Sequence, residues 1–261
     1  MRNILLYSCS LWASEITSMN DPDEILYAFS DLLPTVMGAG MNSPFTRDFV
    51  KEQWAKVCVH IACFSNAELP SQWERYANKG TGCAIGFDQC TLKEWCLRQR
   101  ISLFPTNYDR SRQEDMIRSF RTNVDRITQG LLNKWDSPAA RKTLREKATK
   151  YLFSLAMTVK TEHWREEGEW RILMMQPKTE TLTCKHAFTS LKRDDGVCYF
   201  ALPICLPSLV TEVVIGPRCS TDSEMLKRQL NDAGLSSVSV RQSSMPVPAL
   251  DSRDLEINMP V

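Results

Sequence analysis

Lys160-Thr161-Glu162-His163-Trp164-Arg165-Glu166-Glu167-Gly168-Glu169-Trp170-Arg171-Ile172-Leu173 places four carboxylates, two tryptophans, a histidine and two arginines around one glycine. Upstream lies a long helical region; downstream the chain is rich in strand patterns. The stretch is therefore the joint between a helical part and a sheet. Residues 169–175 read as a strand on which Glu169 and Arg171 share a face. Charge this dense beside large aromatics has two readings. It is a structural clamp joining two parts of the fold, or it is the edge of a site.

Working backwards, residues 110–135 carry Met116, Ile117, Phe120, Val124, Ile127 and Leu131 at helical spacing. Asp136-Ser137-Pro138 breaks that helix, and a second runs over 138–159. The pair makes a helical hairpin inserted between β elements at about 110–159. The basic run from Arg141 to Lys150 belongs on its solvated outer face.

The clearest strand is 57–64, apolar on both faces and hence central in a sheet. His60 within it reads as a satisfied core histidine. Ser65 ends this strand. A short helix with Trp73 and Tyr76 follows, and residues 83–88 return as a second buried strand. There Gly86 marks the close approach of a backbone or ligand. Near the start, 11–14 is a short strand, and Asn20-Asp21-Pro22 precedes a helix with Asp21 as its cap.

Forward of the opening stretch, strands are expected at 182–187, 197–202 and 210–215. The last enters Gly216-Pro217-Arg218-Cys219-Ser220-Thr221 and a helix over 222–233, capped by Ser220 or Thr221. Gly234 stops that helix, and 235–241 is a final strand. The expected fold is α+β: a mixed, mostly antiparallel central sheet with flanking helices, the inserted hairpin and a C-terminal βαβ-like unit. Residues 1–261 are read as a single domain, with an irregular tail from about 245.

Composition narrows the classes. With 32 basic and 31 acidic residues the net charge is +1, so no global field selects nucleic acid as a partner. No stretch has the length of a transmembrane helix, and none reads as a signal peptide. Ten cysteines show no Cys-x-x-Cys pattern, which fits reduced thiols in a cytoplasmic protein. Three histidines make a histidine-rich metal centre a poor expectation.

Several blocks together resemble a bacterial family known as domain of unknown function 2971. They are Asn20-Asp21-Pro22, Cys63-Phe64-Ser65, Trp73-Glu74-Arg75-Tyr76-Ala77 with residues 82–88, the opening stretch, and Val213-Val214-Ile215-Gly216-Pro217-Arg218 with Ser243. The resemblance implies an additional strand before the Leu11-Trp12 strand, and residues 1–10 are not expected to supply it. The layout is also similar to ADP-ribosyltransferase folds: an early strand with a polar residue, a central strand ending in Ser or Tyr, and a late strand bearing a Glu. Glu167-Gly168-Glu169 looks like the Glu-x-Glu of such transferases.

That likeness implies a nucleotide-using transferase with NAD as cofactor, of a defence or toxin kind, acting on a nucleic-acid or protein acceptor. Glu169 and Glu167 are then the catalytic candidates. Glu169 would stabilise the charge developing on the ribose, and Glu167 would orient or deprotonate the acceptor. Ser65, Tyr76, Trp73, Asn20 and Arg171 are the cofactor-binding candidates, with Ser65 on the ribose and the aromatics stacked on nicotinamide. Two alternatives stand beside it. One is a nucleotide or nucleic-acid hydrolase, whose metal version would use Asp88, Glu167 and Glu169. The other is a non-catalytic scaffold docked through the hairpin, with Glu169 and Arg171 paired to Lys160, Arg165 or Arg75.

Overall fold

The computed structural model describes residues 10–16, 27–32, 52, 55–65, 68–132, 137–177, 190–192, 198–203 and 208–245. The fold is α+β, as the sequence patterning predicts. The chain divides into two compact units, a division finer than the single domain read from the sequence. The larger comprises residues 11–66 and 93–202; the smaller comprises 1–10, 67–92 and 203–261.

The larger unit is built on a six-stranded, wholly antiparallel sheet. Its strands are β1 (Leu11–Glu15), β2 (Val57–Phe64), β4 (Ser102–Pro105), β5 (Trp170–Pro177), β6 (Ser190–Lys192) and β7 (Cys198–Leu202). Their order is β4-β5-β2-β1-β7-β6. The doubly apolar β2 is central, as expected for a strand buried on both faces. Its register with β5 pairs Ile61 with Leu173, Cys63 with Arg171 and Phe64 with Trp170.

One face of this sheet, carrying Val59, Ile61 and Leu173, packs with Ile117, Phe120, Leu152 and Phe153 of the helical hairpin into one core. The hairpin is α3 (Arg110–Leu132) and α4 (Pro138–Ala156). The rings of Phe120 and Tyr151 stack across it at 5.6 Å. The outward face of α3 is laced with Arg110–Glu114 and Arg118–Glu114 pairs at i,i+4 spacing, whose exposure leaves them little energetic weight.

On the opposite face His60 is 1% exposed and lies 4.4 Å, ring to ring, from Phe200. It is a core histidine but not a satisfied one: neither ring nitrogen has a hydrogen-bond partner. Burial lowers its pKa to about 4, so it is neutral.

The smaller unit holds β3 (Cys83–Phe87), β8 (Val210–Ile215) and β9 (Ser239–Gln242) in the order β3-β8-β9. β8 and β9 are parallel and joined by α5 (Ser223–Asp232), the expected βαβ-like unit. The α5 stripe of Leu226 and Leu230 packs with Val213, Ile215, Leu235 and Val238. The helix cap is Asp222, not Ser220 or Thr221: its Oδ1 accepts from Glu224 N at 2.9 Å. β3 is a half-buried outer strand of this sheet, not the buried strand its sequence suggests. At Gly86 the expected close approach is that of β8, where an added Cβ would lie 3.2 Å from Glu212 Cβ.

Helix α1 (Pro70–Tyr76) precedes β3, and α2 (Gln89–Arg98) follows it. The predicted helix after Asn20-Asp21-Pro22 begins outside the described residues, as do the expected strand at 182–187 and nearly all of the tail. Among the described residues no helix is long and apolar enough to cross a membrane.

Candidate functional site

The opening stretch folds into a short 3-10 helix, Glu162–Glu167. With three residues per turn, positions i and i+3 share a face, so Trp164 and Glu167 point the same way. Both meet Lys160: its Nζ lies 5.1 Å from the Trp164 ring centroid and 2.7 Å from Glu167 Oε2. Gly168 ends the helix in the left-handed region (φ 50°), which a side-chain-bearing residue adopts only with strain. The reversal delivers Glu169 to the mouth of β5, one residue before the strand begins.

Period-two alternation then puts Glu169 and Arg171 on the sheet face turned toward the hairpin. Arg171 Nη2 donates to Glu169 Oε2 at 2.8 Å, and Lys160 Nζ lies 3.4 Å from the same oxygen. Arg171 Nη1 donates to the carbonyl of Met157 at the end of α4, at 2.9 Å. Lys160, Glu167, Glu169 and Arg171 thus form a quartet of two positive and two negative side chains, each less than a tenth exposed. Trp170 belongs to the other sheet face, where Lys93 Nζ sits 4.6 Å over its ring.

The quartet is held by backbone. Tyr108 Oη accepts from Glu169 N at 2.9 Å, and Thr106 N donates to Glu169 O at 2.8 Å. Gln113 is fully buried, and its Nε2 donates to the carbonyls of Asn107 (2.6 Å) and Lys160 (2.8 Å). Its Oε1 accepts from Tyr27 Oη at 2.6 Å. Asn107 and Val159 form a parallel bridge here, so the segment entering α3 is tied to the segment leaving α4.

Burial dominates the electrostatics. Glu169's pKa is raised, chiefly by desolvation, with Lys160 opposing the rise. Desolvation also lowers Arg171 to about 10 and raises Tyr108 to about 12. Cys63 sits opposite Arg171 on β2 and keeps solvent-exposed surface. Its thiol pKa is nonetheless raised well above the ordinary value, first by desolvation at the sulfur and then by the Glu169 charge. Ser65, also exposed, donates from Oγ to the Glu167 carbonyl at 2.7 Å.

The structure therefore brings Ser65, Glu167, Glu169 and Arg171 together in the larger unit. Trp73 and Tyr76 belong to the smaller one. On α1, Trp73 is buried but Tyr76, three residues on, is 59% exposed, so their shared helical spacing does not bury them together. Trp73 lines a shallow cleft with Pro70, Glu74, Lys79, Gly80, Pro217 and Arg218, of about 280 Å³ including its open mouth. Asn20 lies outside the described residues. Asp88 caps α2, with its Oδ1 accepting from Thr91 N and Oγ1 at 2.8 and 2.6 Å. Among the described residues no three His, Cys, Asp or Glu side chains are grouped to hold a metal ion.

Sequence reasoning missed Tyr108, Gln113 and Cys63 as members of this cluster. The Asn107-Tyr108-Asp109 run carried a signal: Asn107 and Asp109 each accept from a backbone N–H two and three residues on, a turn that starts α3 and aims Tyr108 at Glu169.

All four charged members of the quartet lie in a segment with a counterpart elsewhere. Residues 72–172 match the family described as protein of unknown function (DUF2971). The chain resembles that family. No curated protein sequence and no solved structure matches it. The DUF2971-like stretch runs from within α1 to the start of β5, taking in the hairpin and the whole quartet. The blocks at Asn20, Cys63-Phe64-Ser65 and 213–218 lie outside it.

Proposed function

We propose that this DUF2971-like chain is a nucleotide-using transferase of the ADP-ribosyltransferase type, with Glu169 as its principal carboxylate. The observation that carries the reading is the sheet order. β5, β2 and β1 are neighbours, so the end of the central strand (Ser65) and the start of the late strand (Glu169) fall at the same end of one sheet. A transferase with an early strand, a central strand ending in Ser and a late strand bearing Glu needs that adjacency.

NAD, when bound, would supply the ADP-ribosyl group, with nicotinamide as the leaving group. The exposed hydroxyl of Ser65 is assigned to the ribose. Glu169 is assigned to the positive charge that develops on the ribose as the glycosidic bond breaks. Arg171, 2% exposed, acts by holding Glu169 and not by meeting a phosphate. Glu167 is assigned the fixing of Lys160, since its carboxylate is already engaged at 2.7 Å and buried. The acceptor class is a nucleic acid or a protein. The seven free thiols among the described residues support a cytoplasmic setting, and a bacterial defence or toxin role is part of the same proposal.

Purified wild type, Glu169→Gln and Ser65→Ala are compared for NAD consumption and for labelling of protein, DNA and RNA. The expected result is wild-type turnover, at least ~100-fold lower in Glu169→Gln and about tenfold lower in Ser65→Ala. Equal turnover in wild type and Glu169→Gln sinks the proposal. A second reading, a non-catalytic scaffold clamped by the quartet, is favoured by the mutual neutralisation of its four buried charges. On that reading the wild type is inert toward NAD, and Glu169→Gln changes only the melting temperature.

A further inference from the structure

Outside the quartet, the smaller unit holds a cleft that the proposed transfer reaction does not use. Its lining includes Trp73, which is 5% exposed and whose indole N–H has no hydrogen-bond partner. A buried donor left without an acceptor costs stability, so its presence calls for an explanation. The protein around Trp73 gives this N–H no acceptor, and the cleft is the side from which one can enter. The cleft walls are set by backbone. Asn78, Lys79 and Gly80 lie in the left-handed region, with φ of 47°, 55° and 83°. Two of these residues bear side chains, so the turn stores strain that its neighbours must hold. Gly80 N donates to Trp73 O, and Arg218 N donates to Gly80 O, both at 3.0 Å. Arg218 Nη1 donates to Lys79 O at 3.2 Å. The two cationic residues are thereby tied to the turn that runs from the indole, and both line the same cleft.

We propose that this cleft binds a small organic carboxylate, recognised by the Trp73 indole N–H and by the cations of Lys79 and Arg218. The proposal stands independently of the transferase reading. The charge of the lining selects the class. Lys79 and Arg218 bring two positive charges and Glu74 one negative, so a monoanion balances the lining and a phosphate dianion overfills it. A planar carboxylate also matches the fork of a guanidinium, and the neutral indole donor adds direction without further charge. Pro70, Pro217 and Met245 make the rest of the lining apolar, which suits a hydrocarbon body behind the carboxylate. The volume of about 280 Å³, open mouth included, admits a small molecule and is short for a dinucleotide.

The indole nitrogen itself is covered, so the carboxylate reaches it by displacing a lining side chain. Met245 is the group that swings aside, being unbranched and the most adaptable residue of the lining. Once seated, the ligand gives the indole its acceptor and bridges the 78–80 turn to the turn after β8.

The probe is benzoate, titrated at constant ionic strength into the nitrogen-15-labelled full-length chain, whose seven tryptophan indole N–H signals are followed by NMR. Trp73→Phe identifies the Trp73 signal by its loss. The expected result is a saturable downfield movement of that signal, with a Kd of roughly 0.1–10 mM for a ligand of about nine non-hydrogen atoms. Benzamide, of the same shape without the charge, should leave the signal in place. Inorganic phosphate should bind at least ~10-fold more weakly than benzoate. Arg218→Gln and Lys79→Gln should each weaken benzoate at least ~5-fold, and either variant suffices if the other does not fold. A Trp73 signal that stays in place up to about 50 mM benzoate overturns the proposal. Equal movement with benzamide, or tighter binding of phosphate than of benzoate, overturns it as well.

Discussion

Replacing Lys160 with methionine is the sharpest probe of the buried quartet. Methionine keeps much of the stem volume and removes the charge. In the native chain the ammonium lies 2.7 Å from Glu167 and 3.4 Å from Glu169, with all three side chains under a tenth exposed. At an effective dielectric constant of about 20 each contact is worth roughly 5–6 kcal/mol before desolvation is subtracted. After the variant Glu169 keeps Arg171 at 2.8 Å, but Glu167 loses its closest cation. Stranding a buried charge in this way costs about 3–5 kcal/mol. The loss should depend on pH. Lys160 lowers the Glu169 pKa, so removing it raises that folded-state value further above the unfolded one. The folded variant then holds protons that the unfolded chain has released, and its stability falls as pH rises through that window. Urea unfolding of wild type and variant at pH 7 and pH 5 measures both effects. The expected deficit is about 3–5 kcal/mol at pH 7 and smaller at pH 5. Adding Glu167→Gln should recover more than half of it, because the stranded carboxylate is gone. A deficit below about 1 kcal/mol at pH 7, or one of equal size at both pH values, would refute the reasoning.

Three further outcomes follow from the same geometry. His60→Phe should be neutral or stabilising by roughly 1–3 kcal/mol in urea unfolding, since two unsatisfied buried nitrogens are replaced by apolar ring. With its folded pKa depressed to about 4, His60 also costs the wild type stability as pH falls below about 6.5, and that part of the acid sensitivity should vanish in the variant. Gly216→Ala should lower the melting temperature by several degrees, because the new Cβ meets Gly80 O at 2.3 Å and Gly82 O at 2.5 Å and the backbone must move. Asp222→Ala should cost about 1 kcal/mol in the same assay through loss of the α5 cap.

Much of the fold was readable because periodicity reports burial. β2 is apolar on both faces and turned out central; on α3 the stripe residues Ile117 and Phe120 are buried. What escaped was pairing. Nothing in residues 83–87 distinguishes a buried strand from a half-buried outer one of a separate small sheet, since that depends on partners more than 120 residues away. The capping choice among Ser220, Thr221 and Asp222 is a matter of one residue's backbone angle. The site was legible as a charge-rich stretch, and the mutual engagement of Glu169, Arg171 and Lys160 was one of the readings it offered. Its depth of burial was not legible, because Tyr108, Gln113 and the end of α4 seal it from positions distant in the chain. Strand alternation turns Trp170 to the face opposite Glu169 and Arg171.

The interleaving of the two units has a consequence for synthesis. β3 leaves the ribosome early, but its partner β8 follows only after the hairpin and four strands (β4 to β7) of the larger unit. At about 5–20 residues per second that separation amounts to roughly 6–25 s. Through that interval residues 83–87 are an unpaired strand whose hydrogen-bonding edges could template a wrong partner. Nascent chains stalled before residue 210 should therefore hold chaperones longer than chains stalled after residue 242.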